Sequence, residues 1–172
     1  MHFEIAHEFD IPLDALELAV ISPTLVDKLS VTIHKQGVGI EKVTERSRSL
    51  KNGTLERVWH YQANVKLPKF ARGYVTPEMT AWDETSVYEM ARHRGKWTIV
   101  PNVKPEWRKY VSATGTYLIE PLGDGRSRRV VHGDLELRVR VVRQVAERLI
   151  VNEVKKAFEA EAATLRDMAT LI

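Results

Sequence analysis

The chain has 172 residues, a formal net charge of +3 and no cysteine. Its 44% hydrophobic content is ordinary for a globular domain, and its length allows one domain with a core of its own. The absence of cysteine excludes disulfides, thiol nucleophiles and cysteine-ligated metal sites. No apolar run approaches the roughly 18 residues that span a bilayer, and the first residues lack a secretory signal pattern, so we expect a cytoplasmic protein.

The first thirty residues predict one strand followed by two short helices. Apolar and polar side chains alternate over residues 2–10, which is typical of a half-buried strand. Pro12 lies in the first turn of a helix whose inner face carries apolar residues at helical spacing. A second helix is predicted to begin at Ser22-Pro23, with Ser22 as its N-terminal cap, and the two helices account for residues 12–30.

From about residue 31 the pattern changes to the two-residue period of strands, broken by turn signals. One strand ends near Leu50 and turns at Asn52-Gly53, a pair that tolerates positive φ at both central positions of a hairpin. A basic loop follows over residues 67–77, and a second turn is predicted at residues 122–125. The strands after the first turn are predicted at residues 54–66, 78–92, 97–101, 107–120 and 127–141.

A long amphipathic helix is predicted for residues 142–172. No glycine or proline interrupts the segment, and its apolar residues keep the i, i+3, i+4, i+7 spacing of one helix face. Such a helix needs a long apolar surface to lie on, because intrinsic propensity alone does not hold helices in water. We expect it to lie on the sheet through Val142, Val145, Ala146, Leu149, Ile150, Val154, Ala157, Phe158, Ala162, Leu165, Met168, Ala169 and Ile172.

The order of these elements (a strand, two helices, six strands and a long helix) resembles the START-like, or SRPBCC, helix-grip superfamily, and within it an uncharacterised bacterial branch. The segments that carry the resemblance are Ser22-Pro23, Trp-Asp-Glu-Thr at 82–85, Ser-Ala-Thr-Gly-Thr-Tyr at 112–117 and Gly-Asp-Leu-Glu-Leu at 133–137. The resemblance implies an α+β fold and a single domain over residues 1–172, with a curled antiparallel sheet wrapped around the C-terminal helix. It implies no particular activity, because the superfamily includes lipid-transfer domains, hormone binders, aromatase/cyclases and oxygenase subunits.

Aromatic side chains with polar groups are predicted on the inner face of the sheet. Tryptophan and tyrosine carry polar groups, so they are better suited to the wall of a cavity than to a dry core of leucine and isoleucine. Small residues beside large rings suggest an irregular, partly polar cleft. Together with the resemblance, this pattern predicts a hydrophobic ligand, and the alternative is that the rings only pack the sheet against the helix. The predicted ligand-binding residues are Trp59, Tyr61, Trp82, Ser86, Tyr88, Trp97, Tyr117 and Phe158.

Three polar residues on predicted inner faces are candidates for catalysis: His7, Arg57 and Glu84. A charge buried alone is costly, so Arg57 and Glu84 should pair with each other or meet a polar group of a ligand. We expect the two to lie on adjacent antiparallel strands and to face the same interior. A histidine beside a carboxylate can act as a general acid or base, and a purely structural ion pair is the alternative.

Basic residues cluster away from the aromatic face, and we interpret them as solvated surface balanced by glutamate. Transient docking to an anionic membrane surface is the functional alternative. Single-strand nucleic-acid binders interleave aromatic and basic side chains, and this chain does not, so no nucleic-acid partner is predicted. The clusters comprise Lys66, Lys69, Arg72, Arg126, Arg128, Arg129, Arg138, Arg140 and Arg143.

No metal and no cofactor are predicted. The six histidines are scattered without metal-ligand spacing, and the glycine-rich phosphate motifs and the Gly-x-Ser-x-Gly motif are absent. Nothing in the sequence indicates an oligomeric state.

Three functions therefore stay open. The first is binding or carriage of a hydrophobic small molecule or lipid, with the two short helices and residues 66–73 covering the cavity mouth. The second is an aromatase/cyclase-like enzyme in which His7, Arg57, Glu84 and a tyrosine position and deprotonate a poly-carbonyl substrate. The third is a protein-interaction module. A convergent polar cluster deep in the cavity would favour the enzyme over the carrier.

Overall fold

A computed structural model describes residues 1–64, 66, 69, 80–138 and 143–171. Within these ranges the chain forms strands and helices in the predicted order, with two short additions that the sequence did not predict: a 3-10 turn at Met90–Arg92 and a four-residue α-helix at Pro105–Arg108. Their bounds are β1 His2–Phe9, α1 Leu13–Ile21, α2 Leu25–Gln36, β2 Ile40–Lys51, β3 Thr54–Ala63, β4 Ala81–Glu89, β5 Arg94–Pro101, α3 Pro105–Arg108, β6 Val111–Gly123, β7 Arg126–Leu137 and α4 Arg143–Ala169.

All seven strands form one antiparallel sheet in the order β1-β7-β6-β5-β4-β3-β2. The consecutive strands β2 to β7 form a meander, and β1 closes its far edge by pairing with β7. The sheet curls around α4, as the predicted helix-grip fold requires. This architecture confirms the predicted α+β fold class.

Side-chain alternation along the strands separates the two faces of the sheet. On β1 the odd-numbered residues Phe3, Ile5, His7 and Phe9 are buried, and the even-numbered residues between them are exposed. The predicted hairpin turn is confirmed at Asn52 and Gly53, which take φ values of 51° and 73°. The inner face produced by this alternation carries the large side chains of the core.

The second helix differs from its prediction at both ends. Thr24 is its N-terminal cap residue, whereas Ser22 ends α1, so the predicted Ser22 cap is wrong. The helix continues six residues beyond the predicted end at residue 30, because Ile33 keeps the apolar spacing of Leu29 and Val26. It ends at Gly37, whose φ of 62° is the left-handed conformation that favours glycine.

The buried line of α4 runs through Val151, Val154, Phe158, Leu165 and Met168. Leu149 and Ile150, predicted on this face, are instead 45% and 37% exposed. In the first turns of the helix the buried face is formed by Glu147 and Val151 instead. Residues 142 and 172 and the side chains of residues 145 and 146 lie outside the described residues. The helix is nevertheless the longest element and packs against α2 and α1 as well as the sheet.

Candidate functional site

The seven aromatic residues predicted to face the interior all do so. Six are buried to 8% exposure or less, and Trp82 is partly buried. The rings contact one another in pairs, with Tyr61 stacked on Trp82 at 5.1 Å and Tyr88 stacked on Tyr117 at 5.4 Å between ring centroids. The prediction that these residues bind a ligand stays a prediction.

Two small cavities lie between the inner face of the sheet and α4. The first is lined by Val20, Arg57, Glu84, Trp97, Tyr117, Arg129, Phe158 and Glu161. The second is lined by Tyr61, Trp82, Glu84, Ile99, Val154, Ala157, Phe158 and Glu161. Each leaves about 10 Å³ for the centre of a water molecule, which is room for roughly one water. The described interior is therefore much fuller than the cleft that the sequence predicts.

The two cavities share three residues: Glu84 on β4 and Phe158 and Glu161 on α4. Phe158 also contacts Trp97, at 5.8 Å between ring centroids. The two spaces therefore neighbour each other along these shared residues. The predicted mouth segment at residues 66–73 lies mostly outside the described residues, whereas α1 reaches the first cavity through Val20.

Glycines on neighbouring strands make room for two of the cavity rings. Gly95 faces Tyr117 across the β5–β6 pair, and a Cβ atom at Gly95 would lie 2.2 Å from that ring. Gly115 faces Trp97 across the same pair, and a Cβ there would lie 2.3 Å from the indole. The Trp97 and Tyr117 rings thus pack closely against the glycine positions of the neighbouring strands, where a larger residue would displace them.

A buried ionic cluster crosses from the sheet to α4. Arg57, Arg129 and Glu161 are 5%, 3% and 7% exposed. The Arg129 Nη1 atom lies 2.8 Å from Glu161 Oε2, and Arg57 Nη2 lies 3.9 Å from Glu161 Oε1. Arg57 also donates to the Val20 carbonyl at 2.9 Å and to Ser86 Oγ at 3.3 Å. One carboxylate therefore faces two guanidinium groups.

Arg57 and Glu84 lie on adjacent antiparallel strands and face the same interior, as predicted. In the β3–β4 pair, Arg57 lies opposite Ser86, and Trp59 lies opposite Glu84. Of the two predicted alternatives, a direct pair or contact with a ligand, the direct pair is not formed: the Arg57 guanidinium reaches Glu161 on the helix instead. The contact with a ligand stays a prediction.

The carboxyl group of Glu84 has no bonding partner among the described residues and a raised pKa. No hydrogen bond or ion pair joins this carboxyl to any of the described residues. Burial, and then the negative charge of Glu161, raises the pKa of Glu84 to about 7, against the opposing effect of Arg57 and Arg129. A group with this pKa exchanges its proton near neutral pH, which suits it to acid–base work or to proton-linked binding.

Three residues that line the first cavity each carry a buried polar atom with no hydrogen-bond partner among the described residues: Trp97 Nε1, Tyr117 Oη and Arg129 Nε. Their residues are 2%, 7% and 3% exposed. Buried polar groups are paired in the great majority of cases, so three unpaired atoms around one cavity are unusual. Their residues line this cavity together with Glu84.

Other predicted site residues lie beside the cavities rather than on their walls. Trp59 stacks under Arg57, with the guanidinium carbon 4.0 Å from the ring centroid, and its Nε1 donates to Glu45 at 2.9 Å. Ser86 accepts the bond from Arg57. Tyr88 donates to Glu17 Oε1 at 2.6 Å, and His93 Nδ1 lies 2.8 Å from the same oxygen. The sequence analysis did not identify Glu17 as part of this buried group.

His7 faces the interior as predicted but lines neither cavity. It lies directly opposite Arg129 in the β1–β7 pair, and its Nε2 is 3.0 Å from Glu159 Oε1. Burial, and then the charge of Arg129, lowers the pKa of His7. The imidazole therefore favours its neutral form and is separated from Glu84, with which the sequence grouped it.

Arg129 and Glu161 are the site residues that the sequence analysis missed. Arg129 was assigned to the exposed basic clusters, and that assignment is wrong. Alternation carried back from Val131 places it on the inner face. Glu161 follows Phe158 by three residues and precedes Leu165 by four, so helical spacing alone places it on the buried face. Both signals were present but were outweighed by the expectation that charges lie outside.

Four of the six described residues that remain in the basic clusters are balanced by acidic neighbours, as the solvated-surface interpretation predicts. Four arginines each lie beside a glutamate: Arg126 by Glu8, Arg128 by Glu120, Arg138 by Glu136 and Arg143 by Glu147. Residues 72 and 140 lie outside the described residues. No described helix is long and apolar enough to cross a membrane, and no three acidic or histidine side chains of the described residues are grouped to hold a metal ion.

The curled sheet, the long C-terminal helix and the enclosed site between them place the chain in the class of helix-grip folds. Within that class, the chain belongs to the family described as "Protein of unknown function (DUF2505)", whose model matches residues 4–168. No curated protein matches the sequence of this chain.

Solved structures of the same fold span several activities. Norcoclaurine synthase from Thalictrum flavum is similar with a TM-score of 0.67 at 12% identity, over 99% of this chain and 86% of that one. The Zhui aromatase/cyclase from Streptomyces sp. R1128 gives 0.62 at 15% identity, over 99% and 93%. Ara h 8.0201 gives 0.56 at 13% identity, over 96% and 97%. A norcoclaurine synthase complex with dopamine and hydroxybenzaldehyde is also similar, with a TM-score of 0.63 at 13% identity over 97% and 87%. Similarity at these identities shows a common fold.

Proposed function

We propose that this protein binds a hydrophobic small molecule between the sheet and α4. The observation that carries the proposal is the pair of cavities that meet at Phe158 and are walled by Tyr61, Trp82, Trp97 and Tyr117. Cavities with aromatic walls and a few convergent polar groups are the usual form of small-molecule sites. A norcoclaurine synthase of similar fold forms a complex with dopamine and hydroxybenzaldehyde, which supports the binding of small aromatic molecules by a protein of this fold.

Binding must enlarge the interior. Ligand pockets usually measure about 300–1,000 Å³, far more than the space left here. Phe158 lines both cavities, so we infer that rotation of its ring together with an outward shift of α4 creates one elongated space. The ligand would then replace the contacts that Phe158 makes with Trp97 in the closed form.

Tryptophan fluorescence tests the proposal directly. Trp82 and Trp97 line the cavities, whereas Trp107 on α3 is 56% exposed. Titration with 2-naphthol or a long-chain fatty acid should quench fluorescence and raise the melting temperature, because a ligand that binds only the folded state stabilises it. The quenching should persist in Trp107→Phe and shrink in Trp97→Phe.

A variant that fills the cavity locates the site. Ala157 lines the second cavity, and Ala163 lies on the same helix at a similar partial burial without lining either. Ala157→Leu should abolish binding, and Ala163→Leu should leave it intact. Equal affinity in the two variants, or no quenching and no thermal shift in the parent protein, would refute binding at this site.

A second function is favoured by Glu84, whose pKa of about 7 suits a general base in an aromatase/cyclase-like enzyme. The carboxylate would remove a proton from a carbon between two carbonyls, and the neighbouring guanidinium groups of Arg57 and Arg129 would stabilise the enolate. Exchange of the central hydrogens of a 1,3-diketone for deuterium, followed by NMR, measures this step. The exchange should be accelerated by the protein and lost in Glu84→Gln; equal rates with both proteins would exclude it.

A further inference from the structure

We propose that the first cavity is the receiving site for a ligand carboxylate, held by Trp97 Nε1, Tyr117 Oη and Arg129 Nε. The inference rests on the proposed function and specifies its ligand as a hydrophobic molecule that carries one acid group. The three atoms belong to residues of the neighbouring strands β5, β6 and β7 that line this one cavity.

The chemistry of the three atoms selects an acceptor. Tryptophan Nε1–H and arginine Nε–H can only donate, and the tyrosine hydroxyl can donate as well as accept. All three lack partners among the described residues and sit in side chains that are at least nine-tenths buried. A carboxylate has two oxygens and several lone pairs, so it can accept from all three, whereas a neutral donor group would leave them unpaired.

The charge of the cavity selects an anion. Arg57 and Arg129 together carry one more charge than the Glu161 carboxylate balances. The remaining acid on the wall is Glu84, which is protonated in a large part of the molecules at neutral pH. The cavity therefore holds an excess positive charge in that form, and a ligand anion removes it. Charge-assisted hydrogen bonds to an anion are also about twice as strong as neutral ones.

Glu84 couples this binding to a proton. The charged and titratable groups that face it are Arg57 and Tyr61 from β3, Tyr117 from β6, Arg129 from β7 and Glu161 from α4. Burial raises the pKa values of both tyrosines, so Glu84 is the group of this set that titrates near pH 7. An arriving anion raises the pKa of Glu84 further, and at pH 7.5 the complex should take up a proton.

A matched pair of ligands tests the acid preference. 2-Naphthoic acid and 2-naphthamide share one ring system and nearly one shape, but only the acid is charged. We expect the acid to bind at least about tenfold more tightly, because the amide lacks the charge-assisted bonds and turns an N–H group toward the donors. Tyr117→Phe should lower this ratio. Tyr110→Phe is the control, since Tyr110 is 40% exposed and lines neither cavity.

Calorimetry in phosphate and in Tris buffer at pH 7.5 measures the proton uptake that accompanies binding. The heat of acid binding should differ between the buffers in the parent protein and in Glu56→Gln, which alters an exposed carboxylate of β3. The difference should vanish in Glu84→Gln.

The outcomes separate this inference from the proposed function. Equal affinity for acid and amide would overturn the carboxylate site and leave hydrophobic binding standing. An acid preference that Tyr117→Phe does not change would place the acid elsewhere and likewise overturn the site. Failure of both ligands to shift the melting temperature at millimolar concentration would refute both proposals, and the three donors would then be those of a water site.

Discussion

The Arg129 guanidinium on β7 lies 2.8 Å from the Glu161 carboxylate on α4, and both side chains are buried. The pair joins the helix to the sheet at the point where the first cavity lies. Buried ion pairs add little net stability relative to apolar residues, yet their disruption leaves an uncompensated charge. The pair therefore determines the position of α4 on the sheet more than it stabilises the contact between them.

Substitution of Arg129 alone should strongly reduce the free energy of unfolding. Arg129→Met leaves Glu161 with only the longer contact to Arg57, at 3.9 Å, and we expect unfolding in urea to show a loss of about 3–5 kcal/mol. The neighbouring Arg128 pairs with Glu120 in a partly exposed setting, so Arg128→Met should lose less than about 1 kcal/mol. The double variant Arg129→Met/Glu161→Gln should lose less than the sum of its single changes. Similar losses in the Arg128 and Arg129 variants would show that the buried pair is not special.

Phe158 should be a large contributor to stability. It is 8% exposed and contacts Trp97 and Arg129, so Phe158→Ala should reduce the free energy of unfolding by about 3–5 kcal/mol. Leu149→Ala on the exposed side of the same helix should lose less than about 1 kcal/mol. Chemical denaturation of both variants makes the comparison, and a loss under about 1 kcal/mol at Phe158 would mean that the ring does not fill this space.

Glu84 should make stability fall as pH rises. Its pKa is about 7 in the folded chain and near 4.5 when unfolded, so between these values the folded state binds more protons. The free energy of unfolding should therefore decrease from about pH 4.5 to about pH 7, by up to roughly 3 kcal/mol. Above about pH 7 the contribution of Glu84 should no longer change with pH. Glu84→Gln should remove this slope, and Glu56→Gln should not. Parallel stability profiles for the parent and Glu84→Gln would exclude the raised pKa.

Gly115 should resist substitution. A Cβ atom there would lie 2.0 Å from the His132 carbonyl oxygen and 2.3 Å from the Trp97 ring, so strand or ring must move. Gly115→Ala should lower the melting temperature markedly and change the Trp97 fluorescence. Gly39→Ala meets the end of the flexible Glu153 side chain at 2.7 Å and should be milder. Equal melting temperatures for the Gly115→Ala and Gly39→Ala variants would show that the sheet adjusts to a side chain at Gly115 without loss of stability.

The sequence predicts the fold well, because local rules determine it. Alternation placed Arg57, Trp59 and Tyr61 on one face, and Asn52-Gly53 marked its hairpin correctly. Cavity size is not local: it depends on how the Trp97, Tyr117 and Phe158 rings fill the space that the glycines leave. Partner choice is not local either, since Arg57 had carboxylates available on β4 and on α4, and only the position of the helix decides between them.

The pairing of β1 with β7 has a consequence for synthesis on the ribosome. His2 bonds to Asp134, which lies 132 residues later, and the whole of β1 pairs with β7 and with no other strand of the described residues. At roughly 5–20 residues per second, the emerging β1 waits several seconds or more for its partner. During that wait its apolar residues, such as Phe3 and Phe9, are uncovered. We therefore expect nascent chains halted before residue 126 to bind chaperones through their first ten residues, and chains that expose β7 to release them.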